Sequence, residues 1–406
     1  MKIRLRLAVN NFFWLIPPIL GLGAYPLVIP TLIGILACAK KSFFSGAFSA
    51  LSAPGFLSIF TTYIFFLGCY WSFYIPYHPD VLQMPWGYFP ILTALSIITL
   101  LWFSCLDNNA RPLQFIWLFC LGSLVFCLAT IGTSVILLNP PYYANAIDIR
   151  YLPFGLIKHL NTPGIANLLC LFPMAFIAGT ILHPDQRPKH FWILGFTGLA
   201  LSIIAAAVIG QRSFFVVTLI IEPIIAGFFL LLVRAWRSFL AIASLLAAYP
   251  LLRRLDQFLG TEFLHRAVGP SLLNDARFQM FHFWVEKVIK NPFERIEVGP
   301  VQWSDLQWFH NFFADAHRLS GFWALLAAII LMIYIFYRII CVIRIDRRVG
   351  LFLMAIAIPC FLIMNTSVVP EGERQPFLLM LAIGAISEVL ISRAKSGNKL
   401  NYLNSA

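Results

Sequence analysis

Long apolar runs separated by short polar gaps make up most of this chain, and this alternation constrains its fold more than any other feature. A run of about 15 to 25 apolar residues is long enough to cross the hydrocarbon of a bilayer as a helix. Helices also satisfy their own backbone hydrogen bonds, which lipid cannot do. With 60% hydrophobic and 11% charged residues, the sequence predicts an all-α polytopic integral membrane protein.

We predict twelve spans. The first two are short and interrupted by prolines, and a single tilted span over 11–39 is the alternative for them. The basic N-terminus followed by an apolar stretch also resembles a secretory signal, but no small-x-small cleavage pattern follows it, and we expect it to be retained. The twelve spans lie near 8–22, 25–39, 56–75, 88–105, 113–138, 163–182, 191–209, 213–233, 238–252, 322–343, 349–366 and 376–392.

The basic residues between the spans predict the orientation of the chain. With twelve spans, one side collects most of the lysines and arginines, and the short loops of the other side carry only Arg150, Lys158, Arg212 and Arg374. The positive-inside rule then places both termini in the cytoplasm. We therefore divide the chain into 1–252 with spans one to nine, an external loop 253–321, and 322–406 with spans ten to twelve and a cytoplasmic tail.

The net charge of +12 does not predict a nucleic-acid partner. Most basic residues lie in the short gaps between apolar runs, where they set the orientation of the spans in the membrane. Loop 253–321 contains eight basic and eight acidic residues, and any cationic site in it must be local. All eight cysteines lie in apolar segments, which is typical of small core residues without disulfides.

The external loop contains a segment with helical periodicity. Asn274 or Asp275 can cap this helix, and Asn291-Pro292 ends it. Arg277 lies in its first turn, where the helix dipole adds to the guanidinium charge and favours an anion. Pairing with Asp275 or with a lipid headgroup is the structural alternative. The residues predicted to form the apolar face are Phe278, Phe281, Val285 and Val288.

Three further charged residues outside that helix lie at the edge of a predicted span or within one. Arg212 opens the eighth span on the external side, against the charge bias, and either holds an anion or extends its charged group to the interface. Arg374 lies between the last two spans beside two glutamates, which favours a local ion pair. Glu222 falls within a span, is expected to face the bundle interior, and has no assigned chemistry.

A second loop helix is predicted from about Asp305 to Leu319, ended by Gly321 before the tenth span. On this helix His310, Ala314 and His317 would share one face. An imidazole on a wet external surface suits a general base, although interfacial packing is the commoner role of such a histidine. His310 and His317 would be about 10.5 Å apart at helical rise, too far to bind one metal ion directly. We find no metal or nucleotide motif, and we expect no metal and no cofactor.

Taken in order, these features resemble the O-antigen ligase family. They are the twelve spans, the external loop between the ninth and tenth, Arg212 opening the eighth, an AR helix ending in NPF, and the pair His310-Asn311 before a span that begins at Gly321. The resemblance covers most of the chain. It extends to the related O-antigen polymerases and protein O-oligosaccharyltransferases.

This resemblance implies a metal-independent inverting glycosyltransferase in the bacterial inner membrane with a periplasmic active site. The donor would be a glycan on undecaprenyl pyrophosphate, and the acceptor a hydroxyl of the lipid A core oligosaccharide. Arg212 and Arg277 would bind the pyrophosphate, and His310 would activate the acceptor hydroxyl. Arg374, His317 and Asn311 are additional candidates. Partners would be the donor, the acceptor and membrane lipids, and a transporter of a lipid-linked or anionic substrate remains an alternative of another class.

Overall fold

The computed structural model describes residues 13–22, 54–77, 88–104, 106, 111–138, 162–209, 212–247, 254, 257, 276–294, 296, 309–366 and 374–395. Most of these residues are helical, the others lie in turns and short loops, and no strand occurs among them. The helices are α1 Ile16–Leu22, α2 Pro54–Tyr77, α3 Tyr88–Ser104, α4 Gln114–Leu138, α5 Thr162–Leu169, α6 Leu171–Gly179, α7 Phe191–Ile209, α8 Arg212–Phe215, α9 Glu222–Leu232, α10 Trp236–Ala247, α11 Ala276–Lys290, α12 Phe312–Ile345, α13 Arg347–Met364 and α14 Gln375–Lys395.

Six of these stretches are long and apolar enough to cross a membrane, and the chain is therefore membrane-embedded. Three shorter helical stretches are also apolar, at Leu57–Ser72, Leu92–Ser104 and Gly164–Gly179. The helical character predicted for these segments is confirmed. The predicted span over 25–39 and about half of loop 253–321 lie outside the described residues. The six long stretches are Gln114–Gly132, Phe191–Ile209, Ser213–Leu232, Ser320–Ile345, Arg347–Met364 and Gln375–Lys395.

Helix α12 forms the centre of the bundle and packs against α2, α13 and α14. At one end of this centre, the rings of Phe66, Phe312 and Phe377 lie within 6.0 Å of one another, centroid to centroid. Elsewhere in the bundle, α1 crosses α4 at Gly21 and Gly122, where a Cβ atom on either glycine would lie 2.0 Å from a backbone oxygen of the other helix. Glycine is required there because the two backbones touch.

Two of the buried carboxylates among the described residues lie within the spanning helices. Glu388 of α14 forms an ion pair with Arg338 of α12 and accepts a hydrogen bond from Tyr334. Glu222 is fully buried, which confirms that it faces the bundle interior. Its carboxylate has no hydrogen-bond partner among the described residues. Glu222 directly follows a π-helical stretch, Val216–Ile221, that joins α8 to α9.

Candidate functional site

His310 lies on a short loop that immediately precedes α12. Its backbone has a φ of 55°, in the left-handed region that few residues other than glycine adopt. The buried carboxylate of Asp315 accepts hydrogen bonds from the backbone N–H groups of Phe309, at 2.8 Å, and Asn311, at 3.2 Å, and also from that of His310. Three donors therefore converge on one carboxylate, and they hold the loop in its unusual conformation.

The predicted helix from Asp305 is wrong over residues 309–311, because α12 begins only at Phe312. The physical reason is the cap: the side-chain oxygen of Asn311 accepts from the N–H groups of Phe313 and Ala314, both at 3.1 Å. A capping residue has non-helical backbone angles and ends the helix there. His310 therefore precedes the helix, and it does not share a helical face with Ala314 and His317.

Asn311 also connects the loop to the end of a neighbouring span. Its side-chain amide donates to the side-chain oxygen of Asn365 at 3.0 Å and to its backbone oxygen at 3.3 Å. Asn365 immediately follows α13. The amide of Asn311 thus fixes the start of α12 to the end of α13, and its contacts are those of a structural cap next to His310.

His317 is buried, and both of its ring nitrogens have partners. Nδ1 accepts a hydrogen bond from the indole N–H of Trp284 at 3.4 Å, and Nε2 lies 2.9 Å from the backbone oxygen of Pro292. This pair of contacts requires the neutral ring with its proton on Nε2. Burial agrees with that state, because it lowers the pKa of His317. His317 therefore joins α11 and the turn after it to α12.

The predicted amphipathic helix in the loop is confirmed as α11, which spans Ala276–Lys290. Its buried stripe contains Met280 and Trp284, which pack against Phe309, Ala314 and Leu325. The predicted apolar face is wrong at Phe281, whose side chain is 40% exposed. Docking on α12 places the buried stripe one residue earlier than the periodicity indicated. Val285 and Val288 are partly buried, and the side chain of Phe278 lies outside the described residues.

The structure locates the backbone of both predicted anion-binding arginines. Arg277 lies in the first turn of α11, three residues before Met280, and Arg212 is the first residue of α8. The side chains of both lie outside the described residues. Arg374 immediately precedes α14, and its side chain is buried. Its two neighbouring glutamates also lie outside the described part of the chain.

The order of the helices along the chain brings His310, Arg212, Arg277 and Arg374 to one end of the bundle. Arg374 lies three residues before Phe377, whose ring contacts Phe312 at 5.5 Å. The span that Arg212 opens leads to Arg234, which lines a pocket with Arg348, the second residue of α13. Helix α13 runs from Arg348 to Asn365, which contacts Asn311 beside His310. Because Arg234 lies near Arg348, Arg212 at the other end of its span lies on the His310 side. We call the two ends of the bundle the His310 end, which includes Asn365 and Arg374, and the Arg348 end, which includes Arg187 and Arg234.

Electrostatics at the His310 end centre on Asp315. Burial raises the pKa of this carboxyl from 3.8 to about 7, while nearby Arg318 and the three backbone N–H groups act in the opposite direction. The Nε atom of Arg318 lies 3.8 Å from a carboxylate oxygen of Asp315. The imidazole of His310 is only partly buried. The arrangement therefore places a partly exposed imidazole on a fixed loop, at a bundle end that also carries Arg318 and Arg374.

Sequence reasoning missed the two residues that fix this loop, Asp315 and Asn365. A signal for Asp315 was available, because Asn311 is a good N-cap and an acid in the following turn can bond back to the cap N–H. Asn365 lies 54 residues from its partner, and no local pattern indicates it. Trp284, whose indole N–H donates to His317, was not singled out in the sequence either.

No protein-family model matches the chain, and no curated protein matches it either. Within the described residues, no group of three or more histidine, cysteine, aspartate or glutamate side chains is placed to hold a metal ion.

Proposed function

We propose that the protein is an O-antigen ligase, a metal-independent inverting glycosyltransferase that moves a glycan from undecaprenyl pyrophosphate to a lipid A core hydroxyl. The proposal includes twelve spans, cytoplasmic termini, residence in the bacterial inner membrane and a periplasmic loop 253–321. It assigns His310 as the catalytic base and Arg212 and Arg277 as pyrophosphate-binding residues. Arg374 is an additional arginine of the same site.

The observation that carries the proposal is the docking of α11 on the start of α12. The contact of Trp284 and Pro292 with His317, together with the apolar cluster that contains both Met280 and Phe309, holds the Arg277 helix beside the His310 loop. The two segments that the family resemblance singles out are therefore in direct contact. Arg212 begins α8 and Arg374 immediately precedes α14, both at the His310 end of the bundle.

The proposed chemistry is a single displacement at the anomeric carbon. The acceptor oxygen forms the new bond to this carbon from one side, while the bond to the pyrophosphate oxygen breaks on the other. The proton of the acceptor hydroxyl goes to the imidazole of His310, and the electron pair of the broken bond leaves with the pyrophosphate. Arginines at a low-dielectric boundary stabilise the negative charge that develops on the leaving group.

The decisive experiment measures transfer by the purified full-length protein in detergent micelles, with lipid-linked glycan as donor and lipid A core as acceptor. His310→Asn is the sharper variant, because asparagine tolerates the left-handed backbone that alanine does not. We expect both His310→Asn and His310→Ala to lose transfer by about 100-fold or more, the usual contribution of a general base. His282→Ala is the matched control, since His282 is exposed on α11 and its Nε2 lies 3.2 Å from a carboxylate oxygen of Glu286.

The same assay separates the alternatives. Transfer retained by a folded His310→Asn protein removes His310 from the mechanism. Glycan added to a lipid-linked chain identifies a polymerase, and glycan on a protein acceptor identifies an oligosaccharyltransferase. Micelles have no two sides, and bond formation in them excludes transport as the main task. A protein that moves donor lipid across vesicles but forms no product contradicts the proposal.

A further inference from the structure

Three arginines from separate segments line one pocket at the Arg348 end. The pocket has a volume of about 580 Å³. Arg187 follows the short turn Pro184–Gln186, Arg234 lies in the turn between α9 and α10, and Arg348 lies in the first turn of α13. Arg234 has a left-handed backbone with a φ of 55°. A second pocket of about 480 Å³ shares Arg234 and Arg348 and adds Arg347.

Within the described residues, no aspartate or glutamate forms an ion pair with Arg187, Arg234 or Arg348. Asp346 is near, but one of its oxygens caps the backbone N–H groups of Arg348 and Val349 and the other accepts from the side chain of Gln186. Asp185 is exposed on the turn. The pocket therefore concentrates positive charge that a bound anion would neutralise.

Arg187 is held in position by contacts that leave part of its guanidinium available. One terminal nitrogen donates to the backbone oxygens of Thr180 and Leu182, both at 2.8 Å, and the group lies over the rings of Phe191 and Trp192. Its Nε is buried without a hydrogen-bond acceptor among the described residues. Burial, and secondly the charge of Arg348, lower the pKa of Arg187. Both effects disfavour the charged form of Arg187, and a bound anion would offset them.

The rim of the pocket is apolar and faces outward from the bundle. Trp192 and Trp236 line it and are 38% and 61% exposed. Leu240, one helical turn after Trp236, is 65% exposed. Tryptophan is enriched where membrane proteins meet the headgroup region, and exposed leucine on a spanning bundle faces acyl chains. A ligand that fits both the arginines and this rim carries an anionic head and a hydrocarbon tail.

We propose that this pocket binds an anionic phospholipid, with the phosphate held by Arg234, Arg348 and the free face of Arg187. The acyl chains would lie along Trp192, Trp236 and Leu240. Basic pockets between helices near the membrane surface are suited to such headgroups, and arginine matches phosphate through paired N–H donors. The site is at the opposite end of the bundle from His310, and the proposal does not depend on the glycosyltransferase assignment.

The test is a titration of the purified full-length protein in a non-ionic detergent with phosphatidylglycerol, followed by the thermal unfolding midpoint and by native mass spectrometry. We expect saturable binding and a higher midpoint, because a ligand that binds only the folded state stabilises it. The double variant Arg234→Gln/Arg348→Gln should bind about 30-fold more weakly, since each basic residue near an anionic lipid contributes roughly a fivefold factor. Phosphatidylcholine and inorganic phosphate should produce no shift.

The control is Lys189→Gln/Arg344→Gln, which removes the same charge from exposed positions at the same end of the bundle. Equal weakening in this control means diffuse surface charge and overturns the proposal, as does an equal shift with phosphatidylcholine or inorganic phosphate. If the arginine variants do not fold, Ser238→Glu serves instead, because it keeps all three arginines and places a carboxylate in the pocket lining. Unchanged phosphatidylglycerol binding by Ser238→Glu also overturns the proposal.

Discussion

At the scale of single residues, Asp315 acts on the backbone of the His310 loop. In many enzymes a carboxylate orients a catalytic imidazole by bonding to the ring itself. Here the carboxylate accepts hydrogen bonds from the backbone N–H groups of residues 309–311. The backbone, held in this way, fixes the position from which the side chain of His310 extends. Asp315 is thus a positioning residue for the proposed base. The cost of this arrangement is a buried carboxyl whose ionisation is disfavoured by desolvation.

Replacing Asp315 with asparagine should change how stability depends on pH. Because the folded protein raises the pKa of Asp315 from 3.8 to about 7, the folded state holds this proton more tightly than the unfolded state does. The free energy of unfolding of the natural protein should therefore fall, relative to that of Asp315→Asn, as pH rises from about 4 to about 7. The change should be on the order of a few kcal/mol. Thermal unfolding midpoints of both proteins between about pH 4 and about pH 8 measure it.

His317 provides the control for this series, because its effect has the opposite sign. Its lowered pKa contributes stability that is present above the ordinary value of 6.5 and is lost as pH falls below it. A His317→Gln background removes this contribution and leaves that of Asp315. If the pH profiles of the His317→Gln protein with and without the Asp315→Asn substitution are parallel, the carboxyl is ionised throughout and its raised pKa is contradicted.

At the scale of elements, the sequence predicted most helices because hydrophobic runs and helix-ending residues are local signals. These signals predicted both the loop helix α11 and the break in helical backbone at Gly321. What could not be predicted depends on contacts between distant segments. The Arg338–Glu388 ion pair joins residues 50 positions apart, and the docking of Trp284 on His317 sets which face of α11 is buried. No periodicity contains that information.

The kink of α12 at Gly321 gives a prediction for the helix itself. Gly321 has a φ of 76° and a ψ of −171°, a region that is essentially restricted to glycine. A Cβ atom there would meet nothing within 4 Å, and the strain of Gly321→Ala would come from the backbone alone. We expect a loss of about 1–3 kcal/mol of stability, measured by chemical or thermal unfolding in detergent.

Gly68 in α2 is the matched control for this substitution. A Cβ atom at Gly68 also meets nothing within 4 Å, but the residue is helical, and Gly68→Ala should be neutral or should stabilise by up to about 1 kcal/mol. If Gly321→Ala is as stable as Gly68→Ala, then α12 can straighten without cost, and the kink does not contribute to placing the His310 loop.

At the scale of the whole molecule, charge differs between the two ends of the bundle. The Arg348 end collects Arg187, Lys189, Arg234, Arg344, Arg347, Arg348, Arg393 and Lys395. The stretch Ser320–Ile345 separates the ends by about 39 Å at helical rise, more than the thickness of bilayer hydrocarbon. Such a concentration of basic residues is typical of a cytoplasmic side. Under the proposed function, the His310 end would face outward, where lipid-linked glycans and their acceptors would meet.

This orientation predicts which residues a membrane-impermeant maleimide reaches in cells with a permeabilised outer membrane. In a chain whose eight cysteines are replaced by serine or alanine, Glu286→Cys on α11 should be labelled before the cells are lysed. Lys189→Cys should be labelled only after lysis, because the inner membrane would separate it from the reagent. Both positions are exposed in the structure, and both should react in lysed cells. Labelling of Lys189→Cys before lysis would place the arginine-rich end outside, and it would remove the physical basis for a periplasmic His310.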